Sequence, residues 1–334
     1  MEAFVIRQFG PPSVFEKASV AEPQVHPGNV LIKVAATSVN PVDCKIREGK
    51  LPAIAPEFPA ILHGDVSGVI EEVGDDVTDF AVGDEVFACA GGVVGSGGAL
   101  ADYMLADVRL VAHKPRNLSH REAAALPLVS ITAWSALMDK AKVQAGQQVL
   151  IHGATGGVGH IGIQLAKAAG ATVYATCSSD SKAAIAKELG ADHAINYRQM
   201  DVQTYVDKYT KGKGFDVVFD TVGGENIQRS FIAAALNGSV VSVSTRSSQD
   251  LSLMHSKALS LHVVFMLIPL LHDIGRAHQG DILKQIAAMV EQPKLGQSNL
   301  RPLLDASSFH IADVAKAHAR LESGEHTGKI VLEV

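Results

Sequence analysis

The sequence predicts an α/β fold in which a doubly wound parallel sheet is inserted between two pieces of a smaller, mostly β domain. Three observations support this prediction: short β-branched segments at the start, alternating strands and helices in the middle, and an isolated strand at the end. At 334 residues the chain also exceeds the size at which one hydrophobic core usually stops growing, which favours two domains.

The first third of the chain has the pattern of short strands separated by frequent turns. Apolar, β-branched segments occur at residues 30–34, 66–73 and 85–88, with glycine, proline and aspartate between them. This pattern is typical of a small distorted barrel or sandwich. The pattern changes at Ser119, a candidate helix N-cap with Glu122 as its capping-box partner.

Strands and helices alternate through the middle of the chain. The expected order is helix 132–137, strand 148–152, helix 158–169, strand 172–177, helix 181–189, strand 216–220, helix 226–236 and strand 238–244. This order predicts a parallel sheet with helices on both faces, because each crossover returns the next strand in the same direction. The tail adds helices 281–290 and 311–323 and a closing strand over 329–334, whose partner is expected in the first domain.

Composition and charge exclude several classes of protein. The net charge is −6 and no block of lysine or arginine occurs, so no nucleic-acid partner is expected. The most apolar stretch, residues 259–271, is too short to span a bilayer, so no membrane is expected either. The three cysteines are widely spaced and the N-terminus lacks a signal-peptide pattern, so we expect a cytoplasmic protein.

The strongest local motif is a glycine-rich turn between an expected strand and an expected helix, Gly153-Ala154-Thr155-Gly156-Gly157-Val158-Gly159. A dinucleotide pyrophosphate must approach the backbone closely, and a helix N-terminus offers it N–H donors. Gly156 and Gly157 would make that approach, flanked by Ala154 and Val158, while Gly159 would let the helix pack on the sheet. Ordinary turns also contain such glycines, but the strand before and the helix after favour a dinucleotide site.

The end of the following strand favours NADPH over NADH. NAD sites usually place an acidic residue there to bind the ribose 2′-OH, whereas this chain has Cys177-Ser178-Ser179 and then Lys182. Hydroxyl groups and a lysine suit a 2′-phosphate, although Asp180 lies nearby. Ser178 and Lys182 are therefore the expected contacts; the alternative for Lys182 is a solvated helix surface.

Further motifs extend over nearly the whole chain. They are Ser38-Val39-Asn40-Pro41-Val42-Asp43-x-Lys45-x-Arg47-x-Gly49, Gly64-x-x-x-Gly68-x-x-x-x-x-Gly74, Gly83-Asp84-x-Val86, Gly98-Ala99-x-Ala101-Asp102-Tyr103, Thr132-Ala133-Trp134, Leu189-Gly190-Ala191-Asp192-x-x-Ile195-Asn196-Tyr197 and Leu321-Glu322-Ser323-Gly324-x-x-x-Gly328-Lys329-x-Val331. In order and spacing they resemble the medium-chain dehydrogenase/reductase superfamily, in its zinc-independent quinone-oxidoreductase and alkenal-reductase branch. The resemblance implies a GroES-like catalytic domain, expected over residues 1–122 and 263–334, a Rossmann NADPH-binding domain over residues 123–262, and a homodimer or homotetramer.

The superfamily divides on zinc, so its metal positions can be compared one by one. Zinc-bearing relatives place a cysteine at the position of Asn40, a histidine at Gly64 and a third ligand near Leu128. Asn, Gly and Leu cannot make a tetrahedral zinc site. His63, one residue from a ligand position, is expected to be a hydrogen-bonded structural residue, and no metal is expected.

Without a metal, a conjugated acceptor such as a quinone or an α,β-unsaturated carbonyl is easier to reduce than a simple ketone. Negative charge then develops on an oxygen that hydrogen-bond donors can stabilise. Asn40 and Lys45 are the candidate catalytic donors, because the matching family segment lies beside the nicotinamide. Many quinone reductases of this branch have tyrosine at the position of Lys45. The lysine in this chain resembles the plant alkenal reductases instead, which favours enones and enals as acceptors. It could equally pair with Asp43 or face solvent, and Asp43 is expected to form an ion pair with Arg47.

Two further residues are implied by the resemblance. Thr132 resembles the threonine near the nicotinamide carboxamide, or it is only a helix-start residue. Tyr197 resembles a tyrosine beside the adenosine 2′-phosphate, or it is a core residue. The resemblance thus implies an NADPH-dependent reductase of small-molecule quinones, enones or enals. The alternatives are an enoyl-thioester-type reductase and a low-turnover NADPH-binding structural or regulatory protein.

Overall fold

The computed structural model describes residues 1–291 and 299–334, which form two compact units. The split unit comprises residues 1–128 together with the described residues from 267 onwards, and the central unit comprises residues 129–266. These divisions lie a few residues C-terminal of the boundaries expected from the sequence.

Helices and strands are numbered along the chain. The strands are β1 (Glu2–Ile6), β2 (Glu16–Ser19), β3 (Asn29–Ser38), β4 (Ala60–Ile61), β5 (Asp65–Val73), β6 (Glu85–Cys89), β7 (Tyr103–Asp107), β8 (Val111–His113), β9 (Gln148–His152), β10 (Thr172–Cys177), β11 (His193–Asn196), β12 (Phe215–Asp220), β13 (Ala234–Ser242), β14 (Ser260–Val263), β15 (Phe309–His310) and β16 (Val331–Glu333). The helices are α1 (Pro41–Arg47), α2 (His120–Ala124), α3 (Pro127–Trp134), α4 (Gly157–Ala168), α5 (Asp180–Glu188), α6 (Val202–Thr210), α7 (Asn226–Ala233), α8 (Ser252–Lys257), α9 (Ile268–His272), α10 (Arg276–Glu291) and α11 (Val314–Glu322). Over the part of the chain that the structure describes, none of them has the length and apolar character that a membrane span requires.

The central unit is built on a six-stranded sheet in the order β11-β10-β9-β12-β13-β14, and every neighbouring pair is parallel. The chain begins in the middle of the sheet, runs to one edge and then crosses to the other. This is the doubly wound order of a Rossmann sheet, so the predicted fold class is confirmed. Both β9 and β10 have the bounds that the sequence predicts.

One helix of the central unit is shorter than predicted. The sequence predicted a helix over residues 226–236, but α7 ends at Ala233 and the next residues belong to β13. The Lys257 ammonium donates to the carbonyls of Phe231, Ile232 and Ala234 at 2.7–3.1 Å. A lysine from α8 therefore caps the C-terminus of α7, and the sequence of α7 itself does not predict that the helix ends there.

The split unit contains a seven-stranded and a three-stranded sheet. The larger has the order β15-β16-β3-β5-β6-β8, with β7 also paired to β3, and the smaller has the order β2-β1-β4. The closing strand β16 pairs antiparallel with β3, so that Val331 lies opposite Ser38. The chain end therefore returns to the first domain as predicted, and this pairing carries Lys329 to the start of α1.

Two short helices of the split unit begin with side-chain caps. In α2 the Ser119 hydroxyl accepts from the Glu122 N–H at 3.3 Å and the Glu122 carboxylate accepts from the Ser119 N–H at 2.9 Å, which confirms the predicted capping box. In α1 the Asp43 carboxylate accepts from the Asn40 N–H at 2.8 Å, and Pro41 occupies the first helical position. The second cap places Asn40 at the junction of β3 and α1.

Candidate functional site

In the central unit, the glycine-rich turn between β9 and α4 has glycines at positions where a side chain would not fit. Gly153 has a φ of 69°, in the left-handed region, and a Cβ on Gly159 would collide with the Gly153 carbonyl oxygen. Gly156 is the N-cap of α4, and the first-turn N–H groups of Gly157 and Val158 have no partner within the helix. These residues therefore fit a pyrophosphate held by backbone N–H groups.

Neighbouring residues anchor this turn to the sheet. Ala154 is fully buried, and its N–H donates to the Thr176 carbonyl of β10 at 3.3 Å. A Cβ on Gly162 would lie 3.1 Å from the Phe219 ring of β12. Helix α4 therefore approaches the sheet most closely at Gly162. The sequence analysis assigned that role to Gly159, which instead packs against the backbone of Gly153 within the turn.

The ends of β10 and β11 bring together the residues expected at the 2′-phosphate. Tyr197 donates its N–H to the Cys177 carbonyl at 3.1 Å, so these two strand ends are adjacent. Ser178 directly follows Cys177 and is half-buried, and Lys182 lies in the first turn of α5. The Tyr197 residue is 47% exposed, so the interpretation of it as a core residue is wrong.

Two polar neighbours of this group already have partners. The Ser179 hydroxyl accepts from the Lys182 N–H at 3.3 Å and therefore caps α5. The Asp180 carboxylate accepts from the Asn196 amide at 2.8 Å, which holds it towards β11. Asp180, whose negative charge would disfavour a nearby 2′-phosphate, is thus hydrogen-bonded to the end of β11.

Thr132 lies inside α3, which begins at Pro127 and continues into a π-helical segment, Ser135–Lys140. The residue is only 5% exposed. The interpretation of Thr132 as a helix-start residue is therefore wrong, and its expected contact with the carboxamide stays a prediction.

In the split unit, a buried group of polar side chains surrounds Asn40. We call Ser38, Asn40, Asp65 and Lys329 the Asn40 cluster. The Lys329 ammonium donates to the Asn40 side-chain oxygen at 2.5 Å and lies 3.4 Å from the Asp65 carboxylate. The Asn40 side-chain nitrogen donates to Asp65 at 2.9 Å and to the Ser38 carbonyl at 3.4 Å. The amide of Asn40 is therefore bonded on both sides within the split unit.

The three positions at which zinc-bearing relatives carry ligands converge on this cluster. One carboxylate oxygen of Asp65, the residue after Gly64, accepts from the Leu128 N–H at 2.8 Å, while the other accepts from Asn40. Asp65 is fully buried and Lys329 is 4% exposed. The Lys329 ammonium therefore supplies the positive charge of the Asn40 cluster. It is paired with the Asp65 carboxylate, both of whose oxygens accept hydrogen bonds.

Lys45 occupies the exposed side of α1, opposite the buried Asp43, Cys44, Ile46 and Arg47. The expected ion pair between Asp43 and Arg47 is wrong. Arg47 instead donates to the Glu322 carboxylate at 2.5 Å and to the Gly10 carbonyl at 3.1 Å, because its long side chain reaches past α1. Burial raises the pKa of Asp43 to about 7, while its bond from the Asn40 N–H acts in the opposite direction. Among the described residues no ion pair joins Lys45 to Asp43.

A second buried set of contacts links β3 to α11. His63 lies 3.3 Å from the Thr37 hydroxyl through Nδ1 and 2.9 Å from His318 through Nε2, which confirms its structural role. The Nδ1 atom of His318 lies 3.3 Å from the Cys44 sulfur. Burial lowers the pKa of His63 and lowers that of His318 to about 3, and it raises the pKa of the Cys44 thiol. Both imidazoles are therefore neutral near pH 7.

Sequence reasoning missed several of these side chains. Lys329 was visible as part of the Gly328-Lys329 ending, but nothing in that motif indicates that its ammonium meets Asn40. The pairing of Cys44 with His318 had no signal, since 274 residues separate them along the chain.

Comparison with family models and curated proteins extends this description. The model for an alcohol dehydrogenase GroES-like domain matches residues 26–116, and that for a zinc-binding dehydrogenase matches residues 157–267. A 2-methylene-furan-3-one reductase of Solanum lycopersicum is 34% identical over 99% of this chain and 79% of its own length. A chloroplastic NADPH-dependent alkenal/one oxidoreductase of Arabidopsis thaliana is 32% identical with the same coverage. A quinone oxidoreductase of Homo sapiens is 30% identical over 99% of this chain and 97% of its own.

Solved structures of related proteins have the same fold over nearly the whole chain. An alcohol dehydrogenase superfamily protein from Novosphingobium aromaticivorans is 38% identical, with a TM-score of 0.93 and complete coverage of both chains. The quinone oxidoreductase from Coxiella burnetii is 32% identical, with a TM-score of 0.83 over 100% of this chain and 99% of its own. The CurK enoyl reductase is 27% identical, with a TM-score of 0.86 over 99% of this chain and 98% of its own.

Proposed function

This chain belongs to the medium-chain dehydrogenase/reductase superfamily, in its quinone-oxidoreductase and alkenal-reductase branch, and on that premise we propose that it reduces quinones or α,β-unsaturated carbonyls with NADPH and no catalytic metal. The observation that carries this proposal is the Asn40 cluster. Where zinc-bearing relatives have three ligands, this chain has Asn40, Gly64 and Leu128, together with the Lys329 ammonium paired to Asp65. A metal-free reductase favours acceptors whose conjugation spreads the developing charge.

The preference for NADPH over NADH rests on the ends of β10 and β11. Ser178, Lys182 and Tyr197 offer a hydroxyl, a positive charge and an exposed ring, and no acidic residue ends β10. In the glycine-rich turn, Gly156, Gly157 and Val158 would hold the pyrophosphate through N–H groups, with Ala154 anchoring the turn. We assign Thr132 to the carboxamide by the family resemblance. When bound, the reduced nicotinamide supplies the hydride.

The two candidate donors of the split unit receive different roles. Both side-chain N–H groups of Asn40 already donate, to Asp65 and to the Ser38 carbonyl. We therefore assign Asn40 to positioning the start of α1. Lys45 presents its ammonium on the exposed side of α1 and is the candidate catalytic residue, donating to the acceptor oxygen as negative charge develops there.

The test is NADPH oxidation, measured on chelator-treated protein with a panel of acceptors. The panel contains quinones, enones, enals, an enoyl thioester and matched saturated ketones and aldehydes. Turnover of the conjugated acceptors, with the saturated ones left unchanged, is the expected result. Dominant turnover of saturated carbonyls, or activity that requires added zinc, would contradict the proposal. Tight NADPH binding without turnover of any acceptor would favour the low-turnover binding protein.

Lys45 is tested by comparing Lys45→Met with Lys33→Met, which removes another exposed lysine of the same unit. Removing one donor to a developing oxyanion lowers kcat by about 10²-fold or more. We expect this loss in Lys45→Met alone, with NADPH affinity unchanged. Equal kcat values for the two variants would exclude Lys45 from the chemistry.

An enoyl-thioester reductase is the second candidate. The CurK enoyl reductase shares the fold over nearly the whole of both chains. A thioester enone is also a conjugated acceptor, so the same donors would serve it. Turnover of the enoyl thioester well above that of quinones, enones and enals would favour this candidate.

Assembly and compartment are further proposals. All three cysteines are buried free thiols, which agrees with a reducing compartment such as the cytoplasm. Family resemblance favours a homodimer or homotetramer. Sedimentation of the purified protein distinguishes these two states from a monomer.

A further inference from the structure

The split unit contains a group of potential metal ligands outside the Asn40 cluster. Ligand atoms of Cys44, His318 and Glu322 all lie within 4.8 Å of one another. Cys44 lies on α1, whereas His318 and Glu322 lie four positions apart on α11 and so project from one face of that helix. Cys44 is 5% exposed and His318 is fully buried. The three side chains thus converge from two helices with two of them shielded from water.

Hydrogen-bond accounting determines which nitrogen of His318 carries the proton. The Thr37 hydroxyl donates to the Asp65 carbonyl at 2.6 Å, and a hydroxyl has only one proton. His63 must therefore donate from Nδ1 to Thr37, and its Nε2 must accept from the Nε2–H of His318. The Nδ1 atom of neutral His318 consequently carries a lone pair directed at Cys44, 3.3 Å away. This is the tautomer that a ligand imidazole requires.

The third side chain is oriented by a buried arginine. Arg47 donates to one oxygen of the Glu322 carboxylate at 2.5 Å, and the Glu322 side chain is 29% exposed. A carboxylate has two oxygens, so one can bind Arg47 while the other binds an ion. The partly exposed carboxylate also gives an ion a route from solvent. Each of the two ligands on α11 therefore has a second hydrogen-bonding partner that orients it.

We propose that Cys44, His318 and Glu322 form a binding site for Zn²⁺, separate from the reduction site and not required by the proposed function. Thiolate, imidazole and carboxylate are the ligands that zinc accepts. Zinc distances of about 2.3 Å to sulfur and about 2.0 Å to nitrogen in a tetrahedral site imply a sulfur–nitrogen separation of about 3.5 Å, close to the 3.3 Å observed between Cys44 and His318. The ion replaces the thiol proton, which leaves to solvent. The Cys44 thiolate and the Glu322 carboxylate supply two negative charges to the ion, and the Arg47 guanidinium keeps the Glu48 carboxylate, 3.4 Å away, as a second negative partner.

The site differs from the three family positions at Asn40, Gly64 and Leu128. It uses other side chains, and its sulfur lies on the buried side of α1, away from Lys45. The sequence expectation of no metal concerned the three family positions at Asn40, Gly64 and Leu128, and a comparison of those positions cannot reveal a Cys–His pair formed by two distant helices.

The test uses cobalt as a spectroscopic probe in the full-length protein. Chelator-treated protein is titrated with Co²⁺, and we expect one equivalent to produce the near-ultraviolet band of a thiolate-to-cobalt charge transfer, which Zn²⁺ then abolishes. Cys44→Ser and His318→Gln should lose the band. Cys89→Ser, which removes another buried thiol of the same unit, should keep it. Circular dichroism checks that each variant is folded.

A positioning variant tests the deduced tautomer. Thr37→Val removes the acceptor of the His63 Nδ1–H, and loss of such a supporting partner lowers metal affinity by about 10–100-fold. An unchanged affinity in this variant would overturn the role assigned to Thr37 and His63.

Three results would overturn the site itself. They are no thiolate band in the folded wild type, an equal Zn²⁺ affinity in Cys44→Ser, and a band that persists in His318→Gln. X-ray absorption of the zinc-loaded wild type gives an answer that needs no variant. One sulfur in the first shell is expected, and a shell without sulfur would refute the proposal.

Discussion

The glycine-rich turn of the central unit and the Asn40 cluster of the split unit are built in opposite ways. The turn consists of consecutive residues, and its shape comes from backbone: a left-handed Gly153 and a Gly159 with no space for a Cβ. The cluster consists of side chains, and Asn40 meets Lys329 across 289 residues of sequence. The difference teaches that a site made by local backbone geometry can be predicted from a motif, whereas a buried polar network depends on the completed fold.

The largest effect is expected from Lys329→Met, which leaves the Asp65 carboxylate buried without its cation. Breaking one side of a buried ion pair costs about 3–5 kcal/mol of unfolding free energy, measured here by urea denaturation. The control Lys316→Met removes a surface pair with Asp313, which contributes at most about 1 kcal/mol. Adding Asp65→Asn to Lys329→Met should recover much of the loss. A similar small loss in both single variants would show that the cluster is no more sensitive than a surface ion pair.

The corresponding change in the turn is Gly159→Ala. Because the added Cβ meets the Gly153 carbonyl, the turn must shift, and overpacking of this kind costs about 1–3 kcal/mol. NADPH affinity should fall as well, which fluorescence titration measures. Gly97→Ala is the control, since its Cβ would have no heavy atom within 4 Å. Unaltered NADPH binding in Gly159→Ala would mean that the turn does not hold the cofactor.

Lys182→Ala tests the side-chain contribution to the nucleotide site. A hydrogen bond to a charged group contributes about 1.5–3 kcal/mol, so NADPH affinity should fall by at least about tenfold. NADH affinity should not change, because NADH lacks the 2′-phosphate. Lys187→Ala, on the same helix, is the matched control. Equal losses for NADPH and NADH would remove the argument for a 2′-phosphate contact.

The last prediction is a pH dependence of stability that originates at Asp43. Its pKa is raised from 3.8 to about 7, so the folded state binds the proton more tightly than the unfolded state. The free energy of unfolding should therefore decrease as pH rises from about 4 to about 7. Asp43→Asn should reduce this slope in urea denaturation series. A slope that survives the substitution would assign the titration to another group.

Much of the fold could be predicted, because its patterns are local. Alternating strands and helices gave the bounds of β9 and β10 and the parallel sheet. The Ser119 capping box was visible for the same reason. The end of α7 was not predicted, because Lys257 of another helix binds its last carbonyls. Likewise Arg47 pairs with Glu322 of α11 and not with nearby Asp43, since a long side chain can reach a distant element.

The sequence by itself determined the doubly wound sheet, the glycine-rich turn and the absence of a carboxylate at the end of β10. Periodicity, backbone freedom and residue identity act over short stretches and need no knowledge of distant contacts. Only the tertiary structure decided that Lys329 meets Asn40 and that His318 faces Cys44. The pairing of β16 with β3 and the packing of α11 against α1 bring these groups together. Burial then determines their hydrogen bonds, because a polar group removed from water must find its partner within the protein.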